Sequence, residues 1–344
     1  MNVVPHIANA GPIPIVHSVI DGKALGREIQ KCYGLPDPFD CELLVRGVND
    51  VYVVNAGNQR FAARVWRAHL RDNSHVAFEL NFIRHLKKAG VPVVAPRLMT
   101  DGSVFFIVEA PEGIRQVCLF EWVTGTSFAN IATADVAEKV GGGMAQIHLA
   151  APLFTPPAPR PIDYRPYIEQ NLPVVLRRLK ERPDDLKFYP RYAEAILKAL
   201  DQPAVKALPR HAIHGDFHFR NVFADPLGHI EFLDFDAAGE GPALQDIAST
   251  LWATAYIARD PACASLTEVM NDRFMVGYRK VRPLSADEET LLPLFIAAKE
   301  MVFLCAKFTS VNSQGPNTFL MAGWDWFATR SRRHAKAAGF DIPG

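Results

Sequence analysis

Several features are scarce or absent in this 344-residue sequence, and each absence excludes a class of protein. The formal net charge is zero, with 37 Lys and Arg residues against 37 Asp and Glu residues. That balance argues against binding to nucleic acid or anionic membranes, which relies on clustered positive charge. No stretch approaches the roughly 18 consecutive apolar residues of a transmembrane helix, and the N-terminus lacks the pattern of a signal peptide. We therefore expect a cytoplasmic protein that contacts neither nucleic acid nor membrane.

Cysteine is also scarce, and its positions predict neither disulfides nor zinc. The five cysteines are scattered, with no C-x-x-C pair and no histidine at the spacing of metal ligands: Cys32, Cys41, Cys118, Cys263 and Cys305. An odd, dispersed set is typical of reduced thiols that pack in the interior. One short basic stretch, residues 330–336, is interpreted as a solvated helix end.

The remaining composition is that of a globular protein, with 49% hydrophobic and 22% charged residues, and the length predicts two domains or lobes. Before residue 125 or so, short runs rich in Val, Phe and Tyr predict strands at 42–46, 51–55, 61–66, 104–108 and 117–123. After it, helical periodicity predicts helices at 133–149, 164–179, 191–200, 242–258, 266–278, 287–308 and 319–333. Two further strands are predicted at 222–224 and 230–233.

One helix interrupts the early strands and places an acid on its apolar stripe. It begins near Asn73 or Ser74 and ends at Gly90, with Phe78 and Phe82 on the stripe. Glu79 lies on the same stripe, where an unpaired buried carboxylate would cost several kcal/mol, order of magnitude. Glu79 therefore either has a cationic partner or lies at the edge of the stripe in water.

The segment that carries chemistry runs over residues 211–246. It contains Asp216 in a predicted loop, Asn221 five residues later, and Asp234 and Asp236 after the second short strand. Transfer of a phosphoryl group from ATP requires a group that accepts the hydroxyl proton and hard oxygen ligands that hold Mg²⁺. These residues supply both kinds of group, although three acids in the turns of a hairpin can also arise by chance.

This segment resembles the protein-kinase-like phosphotransferases, in particular the group of aminoglycoside phosphotransferases, choline kinases and type II homoserine kinases. The pattern H-G-D-x-H-x-x-N and the D-F-D variant of the metal-binding sequence are both present: His214, Gly215, Asp216, His218 and Asn221, then Asp234, Phe235 and Asp236. The resemblance implies an α+β, two-lobed protein-kinase-like fold, with a small antiparallel β lobe carrying one helix and a larger helical lobe.

The resemblance also implies roles for these residues. Asp216 corresponds to the catalytic base, Asn221 to a Mg²⁺ ligand and Asp234 to the principal Mg²⁺ ligand, with Asp236 as a second metal contact. His214 is assigned a structural role, and the roles of His218 and Arg220 are left open. Asp246 either braces the catalytic loop by hydrogen bonds or is an ordinary acid in the first turn of a helix.

The N-terminal part resembles the same family less closely. The segment R-G-V-N-D-V-Y, containing Gly47 and Asn49, lies where kinases cover the phosphates with a glycine-rich loop. Arg64 stands where kinases carry a lysine, because no lysine lies between Gly47 and Arg67. A guanidinium can bridge a phosphate oxygen and the Glu79 carboxylate, which would give that buried acid its partner.

The same resemblance divides the chain into lobes. Residues 1–120 form the nucleotide lobe, residues 121–125 the hinge, and residues 126–344 the helical lobe. Backbone groups near Glu121 and Val123 would receive the adenine edge, although Glu121 can equally be an exposed strand residue. The expected ligands are ATP, Mg²⁺ and a small-molecule acceptor that carries a hydroxyl group. Nothing in the sequence indicates the oligomeric state.

The identity of the acceptor stays open between homoserine, an amino alcohol and an aminoglycoside. From Glu240 onward there are 11 acids and 11 Lys and Arg residues, a balance that weakens the aminoglycoside reading. The aromatic residues Phe319, Trp324, Trp326 and Phe327 fit core packing better than a cation-π cage. A protein Ser/Thr kinase of the stress-response type and a nucleotide-binding pseudokinase are the alternatives.

Overall fold

The computed structural model describes residues 13–309 and 323–342. Contacts within the chain divide it into two compact units. The first comprises the described residues up to Val76 together with Pro96–Trp122, and the second comprises Ala77–Ala95 and the described residues from Val123 onward. The predicted boundaries at 120 and 126 stay a prediction, and the change of unit after Trp122 lies within the predicted hinge.

The first unit is built on one antiparallel sheet in the order β1-β2-β3-β5-β4. Its strands are β1 (Phe39–Arg46), β2 (Asp50–Ala56), β3 (Gln59–Val65), β4 (Phe106–Ala110) and β5 (Gly113–Glu121). All five predicted strands of this region are confirmed, with ends that differ by a few residues. Strand side chains that alternate inward, such as Tyr52, Val54 and Phe61, form its apolar core.

One helix of the first unit was not predicted from the sequence. Helix α1 (Gly22–Tyr33) packs Leu25 and Ile29 into the same core as the sheet. The signals that identify it are readable: the Asp21 carboxylate caps the amide of Ala24 at 2.8 Å, and Gly34 ends the helix in the left-handed conformation. The first unit therefore has a helix that the predicted β lobe did not include.

The second unit is mainly helical. Its elements are α2 (Asn73–Lys88, from Ala77), α3 (Ala134–Ala150), α4 (Tyr164–Arg178), α5 (Pro183–Leu200), α6 (Pro203–Lys206), α7 (Leu244–Ile257), α8 (Glu268–Val281), α9 (Ala286–Thr309) and α10 (Trp324–Ala337). Short strands form two small sheets, β6-β8-β9 and β10-β7: β6 (Thr126–Ser127), β7 (His211–Ile213), β8 (Val222–Ala224), β9 (Ile230–Phe232) and β10 (Gly239–Gly241). Within the described ranges, no helix combines the length and the apolar content needed to cross a membrane.

Helix α2 belongs largely with the second unit because of what its apolar face contacts. Its amino end is capped by Asp72, one residue before the predicted cap, through the amide of His75 at 2.9 Å. Phe78 and Phe82 pack against Phe154, with ring centroids 5.5 and 5.2 Å apart. Beyond the helix, the amide of Val94 donates to the carbonyl of Phe232 in β9 at 3.0 Å.

Two of the predicted helices differ from those observed. Helix α5 begins at Pro183 instead of 191. Proline at its first position and acids in its first turn are start signals, and Pro190 lies inside the helix. Helix α10 is described from Trp324, so the predicted start at Phe319 lies outside the described residues. The strand β7 was not predicted.

The predicted solvated helix end at residues 330–336 is partly wrong. Arg330 and His334 of α10 are buried and lie 3.8 and 3.6 Å from the carboxylate of Glu300. The two side chains share a face because they are four positions apart on a helix. Trp324 and Phe327 are buried as well, which agrees with a packing role. The four cysteines other than Cys32 are buried thiols, as expected.

Glycine allows helices α3 and α8 to approach closely. A methyl group on Gly141 would lie 1.9 Å from the carbonyl oxygen of Phe274, and one on Gly277 would lie 1.8 Å from that of Glu138. Neither position can accept a side chain unless a backbone moves. Gly142, the next residue of α3, differs, because its methyl group would meet Val281 at an ordinary 3.6 Å.

This difference predicts opposite effects for two neighbouring substitutions. Gly141→Ala should lower the free energy of unfolding by about 2 kcal/mol, since overpacking costs about 1–3 kcal/mol. Gly142→Ala should leave it unchanged or raise it by up to about 1 kcal/mol, because alanine favours a helix over glycine. Urea unfolding of both variants checks this. Equal effects would contradict the backbone contact.

Candidate active site

The loop between β7 and β8 presents Asp216 to solvent. Gly215 has a φ of +83°, and a methyl group there would lie 2.1 Å from the carbonyl oxygen of Ala237. Only glycine fits such a position. The tight turn is followed by Asp216, whose side chain is 51% exposed. The chain direction at Gly215 therefore delivers a carboxylate to the surface of the second unit.

Asp246 holds this loop from below. It lies in the first turn of α7 and is fully buried. Its two carboxylate oxygens accept hydrogen bonds from the backbone amides of His214 and Gly215, each at 2.7 Å. The prediction that Asp246 braces the loop is confirmed. Burial acts to raise the pKa of this carboxyl, but His148 and the amide of His214 outweigh that effect and leave the pKa below its ordinary value.

A chain of side chains orients the Asp246 carboxylate. His148 of α3 lies 3.1 Å from it through Nε2, and the Nδ1 of His148 lies 2.7 Å from the Tyr278 hydroxyl of α8. Arg282 donates to the same hydroxyl at 3.1 Å. Three helices, α3, α7 and α8, thereby fix the position of one loop.

The hairpin β8-β9 brings Asn221 and Asp234 to one end. In its antiparallel register Val222 faces Phe232, so the residue before β8 and the residues after β9 are neighbours. The amide of Leu233 donates to the carbonyl of Asn221 at 2.9 Å. The side-chain amide of Asn221 donates to the carbonyl of Asp216 at 3.2 Å. The loop and the hairpin therefore bring Asp216, Asn221 and Asp234 to one end of the hairpin, and their roles as base and metal ligands stay predictions.

The D-F-D segment leaves β9 with an unusual backbone. Asp234 has a φ of +60°, a left-handed conformation that few residues other than glycine adopt. The next residue, Phe235, is buried and contacts His214 and Phe82, with ring centroids 4.4 and 6.0 Å apart. Asp234 is exposed and Asp236 half-buried. The turn thus anchors its phenylalanine and presents its first carboxylate outward.

These residues fit a magnesium site that is completed by phosphates. The side-chain nitrogen of Asn221 donates to the carbonyl of Asp216, and no residue in the described ranges donates a hydrogen bond to its side-chain oxygen Oδ1. This oxygen is therefore available to bind a cation. Amide and carboxylate oxygens are the ligands that Mg²⁺ prefers, and Mg²⁺ commonly takes only one or two protein carboxylates beside substrate phosphates. Among the described residues, no three His, Cys, Asp or Glu side chains form a metal-binding group.

Three other polar residues of the loop around Asp216 have different surroundings. His214 is buried and its Nε2 lies 2.9 Å from the carbonyl of Leu233, a structural contact of the kind expected. Burial lowers the pKa of His218, an effect that exceeds the raising influence of Asp216. Arg220 pairs with Asp260 and also contacts the thiol of Cys263. The guanidinium of Arg220 is therefore paired with Asp260 and not with Asp216.

A residue that the sequence analysis missed lies next to Asp216. The ammonium of Lys299, on α9, is 2.6 Å from Oδ1 of Asp216, and its side chain is 9% exposed. Partial burial of Asp216 acts to raise the pKa of its carboxyl, but the positive charge of Lys299 outweighs it and lowers the pKa. Lys299 is 83 residues from Asp216 in the chain, and no local pattern marks it, so the signal is purely tertiary.

The first unit holds the loop predicted to cover phosphates. Gly47 and Asn49 lie in the turn between β1 and β2, where the amide of Gly47 donates to the carbonyl of Asn49 at 3.0 Å. The side-chain oxygen of Asn49 accepts from the amide of Arg67 at 3.1 Å. Arg67 also donates to the carbonyl of Gly47 at 3.1 Å. Asn49 thus shapes the turn, and its predicted contact with nucleotide stays a prediction.

The other predicted nucleotide contacts are distributed over both units. Arg64 lies on β3 with its guanidinium over the rings of Trp66 and Phe120, 5.4 and 5.1 Å from their centroids. Glu121, at the end of β5, is exposed and lies 3.6 Å from Arg97. Glu79 is 1% exposed in α2, so it is not at the edge of the stripe. Its pairing with Arg64 stays a prediction, as does the role of Val123.

Comparison with known proteins identifies the class to which this chain belongs. The chain belongs to the phosphotransferase enzyme family, whose model matches residues 42–284. It is accordingly a small-molecule kinase of the aminoglycoside phosphotransferase type, an enzyme that transfers a phosphoryl group to a hydroxyl acceptor.

Individual relatives fit this assignment. An uncharacterised protein of Deinococcus radiodurans is 33% identical over 299 residues, which cover 86% of this chain and 84% of that protein. A homoserine kinase of Neisseria meningitidis serogroup B is 27% identical over 264 residues, covering 76% of this chain and 80% of the kinase.

Among solved structures, the amicoumacin kinase hAmiN in complex with AMP-PNP, Ca²⁺ and Ami has a TM-score of 0.72 at 17% identity, covering 94% of this chain and 96% of that one. This likeness concerns the fold. It confirms the predicted α+β, protein-kinase-like class with a small antiparallel sheet and a larger helical part.

The brace beneath the loop can be tested by Asp246→Asn. An amide cannot accept from two backbone N–H groups as a carboxylate does, so the free energy of unfolding should fall by about 3 kcal/mol at pH 7. Because the pKa of Asp246 is lowered in the folded protein, its contribution is present above the unfolded pKa and is lost as the pH falls through the folded pKa.

The measurement is urea unfolding of wild type and variant at a series of pH values. The difference between the two proteins should be constant near neutrality and should shrink in acid. A difference that grows as the pH falls would contradict the assignment of Asp246 as a buried, ionised acceptor.

Proposed function

We propose that the protein transfers the γ-phosphoryl group of ATP to a hydroxyl of a small molecule in a Mg²⁺-dependent reaction. Asp216 is the catalytic base, and Asn221 and Asp234 are the metal ligands, with Asp236 as a second metal contact. The observation that carries this proposal is the meeting of Asp216, Asn221 and Asp234 at one end of the β8-β9 hairpin. Bound Mg²⁺ supplies charge neutralisation on the phosphates.

Asp216 orients the acceptor more than it activates it. Its Oδ1 is engaged by Lys299, and none of the described residues occupies Oδ2, which is therefore available to the acceptor hydroxyl. The lowered pKa makes this carboxylate a weak base. It accepts the hydrogen bond that aligns the hydroxyl with the phosphorus and takes up the proton late, as the oxygen–phosphorus bond forms.

The nucleotide contacts complete the proposal. Arg64 supplies a guanidinium in place of the usual lysine and binds phosphate oxygens, held by the buried carboxylate of Glu79. The turn with Gly47 and Asn49 covers the phosphates, and the backbone near Glu121 and Val123 receives the adenine.

For the acceptor, we propose a small hydroxylated amino acid or amino alcohol, with homoserine first. Homologues of this chain from several bacteria are homoserine kinases, the one from N. meningitidis among them. The ammonium of Lys299 adds a physical reason, because it cancels the charge of Asp216 and leaves no net negative charge there to attract a polycationic aminoglycoside. The balanced charge of the region after Glu240 points the same way.

Substitution of the two loop acids tests the proposed chemistry. Asp216→Ala should lower kcat by at least about 10³-fold while Mg-ATP still binds, because it removes alignment and proton uptake only. Asp234→Ala should lose Mg-ATP binding as well. Steady-state ADP release and calorimetric titration with Mg-ATP provide the two readouts.

Asp225→Ala is the matched control for these variants. Asp225 is an acid of the same hairpin, and its carboxylate accepts from the amides of Leu227 and His229 in the turn. It should keep kcat near the wild-type value. Normal turnover by Asp216→Ala would overturn the proposed mechanism.

The acceptor can be found by thermal unfolding with Mg-ATP and a panel of homoserine, amino alcohols, choline, sugars and aminoglycosides. A ligand at about 100 times its Kd stabilises the folded protein by about 2.7 kcal/mol, so a hit raises Tm. We expect a shift with nucleotide and a further shift with homoserine, accompanied by ADP release. ADP release with an aminoglycoside alone would contradict the proposed acceptor class. Binding of Mg-ATP without turnover on any acceptor would indicate a pseudokinase. Transfer of labelled phosphate from ATP to added proteins would indicate a protein kinase.

A further inference from the structure

Lys299 is a buried cation held against an exposed acid. It lies on α9 with its side chain 9% exposed, whereas the side chain of Asp216 is 51% exposed. The 2.6 Å contact between the Lys299 ammonium and Oδ1 of Asp216 is the only hydrogen bond that this side chain makes in the described part of the chain. Because a buried ammonium without a counter-charge is strongly unfavourable, the pair fixes both groups.

The other basic side chains of the loop make no hydrogen bond to Asp216 within the described part of the chain. Arg220 is four residues away in sequence but pairs with Asp260. His218 lies two residues from Asp216, and burial lowers the pKa of its imidazole although Asp216 acts to raise it. Among the described residues, Lys299 is therefore the cation that contacts the proposed base.

We propose that Lys299 is a positioning residue for phosphoryl transfer: its ammonium holds one oxygen of Asp216 and neutralises the carboxylate while the phosphates of ATP approach. This inference rests on the proposed role of Asp216. The engaged Oδ1 fixes the rotation of the carboxylate, and Oδ2 is left to accept the hydrogen bond from the acceptor hydroxyl.

The charges explain why such a residue helps the reaction. A bare carboxylate close to the terminal phosphate would repel it, and repulsion is strong where water is partly excluded. In the reaction the acceptor oxygen forms a bond to phosphorus, the bond from phosphorus to the bridging oxygen breaks with its electron pair on ADP, and the hydroxyl proton passes to Oδ2. The Lys299 charge compensates the carboxylate until that proton arrives.

The test uses the full chain and compares Lys299→Met, Lys299→Gln and Lys299→Arg. Loss of the charge should lower kcat by about 10²-fold, the range for loss of one preorganised electrostatic contact. KM for Mg-ATP should change by less than about three-fold, because the carboxylate and the phosphoryl group come closest only when the acceptor oxygen bonds to phosphorus in the transition state. Lys299→Arg should restore most of kcat, since a guanidinium also binds a carboxylate.

Arg220→Met is the matched control, because it removes a cation from the same loop that pairs with another acid. It should keep kcat within about three-fold of wild type. If Lys299→Met does not fold, Lys299→Gln carries the test, since its amide can still donate to Asp216. Wild-type kcat in a folded Lys299→Gln, or an equal loss in Arg220→Met, would overturn the proposal.

A double-mutant cycle with Asp216→Asn separates a positioning role from a general structural one. If Lys299 acts through Asp216, the single-turnover rate of the double variant should equal that of Asp216→Asn within about three-fold. Independent, multiplied losses would contradict the inference alone. A normal rate in Asp216→Asn would instead contradict the proposed base, so the two failures are distinguishable.

Discussion

The buried carboxylate of Asp246 makes the hydrogen bonds on which the loop that carries Asp216 depends. It is fully buried at the start of α7, where an uncompensated charge would be untenable, and two backbone amides of the loop satisfy it. His148 and Tyr278 extend the contact to α3 and α8. These two hydrogen bonds fix the position of the backbone at His214 and Gly215. The Cα position of the next residue, Asp216, is therefore fixed as well, although its side chain is exposed.

The close approach of α3 and α8 also helps to fix the position of the loop. The carbonyl contacts at Gly141 and Gly277 set the distance between the helices that carry His148 and Tyr278. Beneath the hairpin, Phe217 and Phe232 pack with tilted rings whose centroids are 5.4 Å apart. Interiors packed in this way are stiff, and a reaction that gains its rate from alignment requires stiff support. Packing far from the loop thus supports the geometry that the proposed reaction requires.

Much of the site could be predicted from the sequence because its residues are close together in the chain. Asp216 and Asn221 are five positions apart, and the strands that follow Asn221 return the chain to Asp234. The local pattern therefore specifies a local geometry. Helix α1 shows that readable signals can also be missed, since its caps, Asp21 and Gly34, are both standard. Asp246 was open to two interpretations, and only its hydrogen bonds decided between them.

By itself the sequence determined the family, the fold class and the acids of the loop, because each is encoded in short patterns or in strand and helix periodicity. The tertiary structure alone decided the environment of those acids. Lys299 reaches Asp216 from α9, Arg220 is directed to Asp260 instead, and Arg330 and His334 are buried at a helix end that appeared solvated. Such pairings depend on how distant helices pack, and packing joins residues whose separation in the chain carries no local signal.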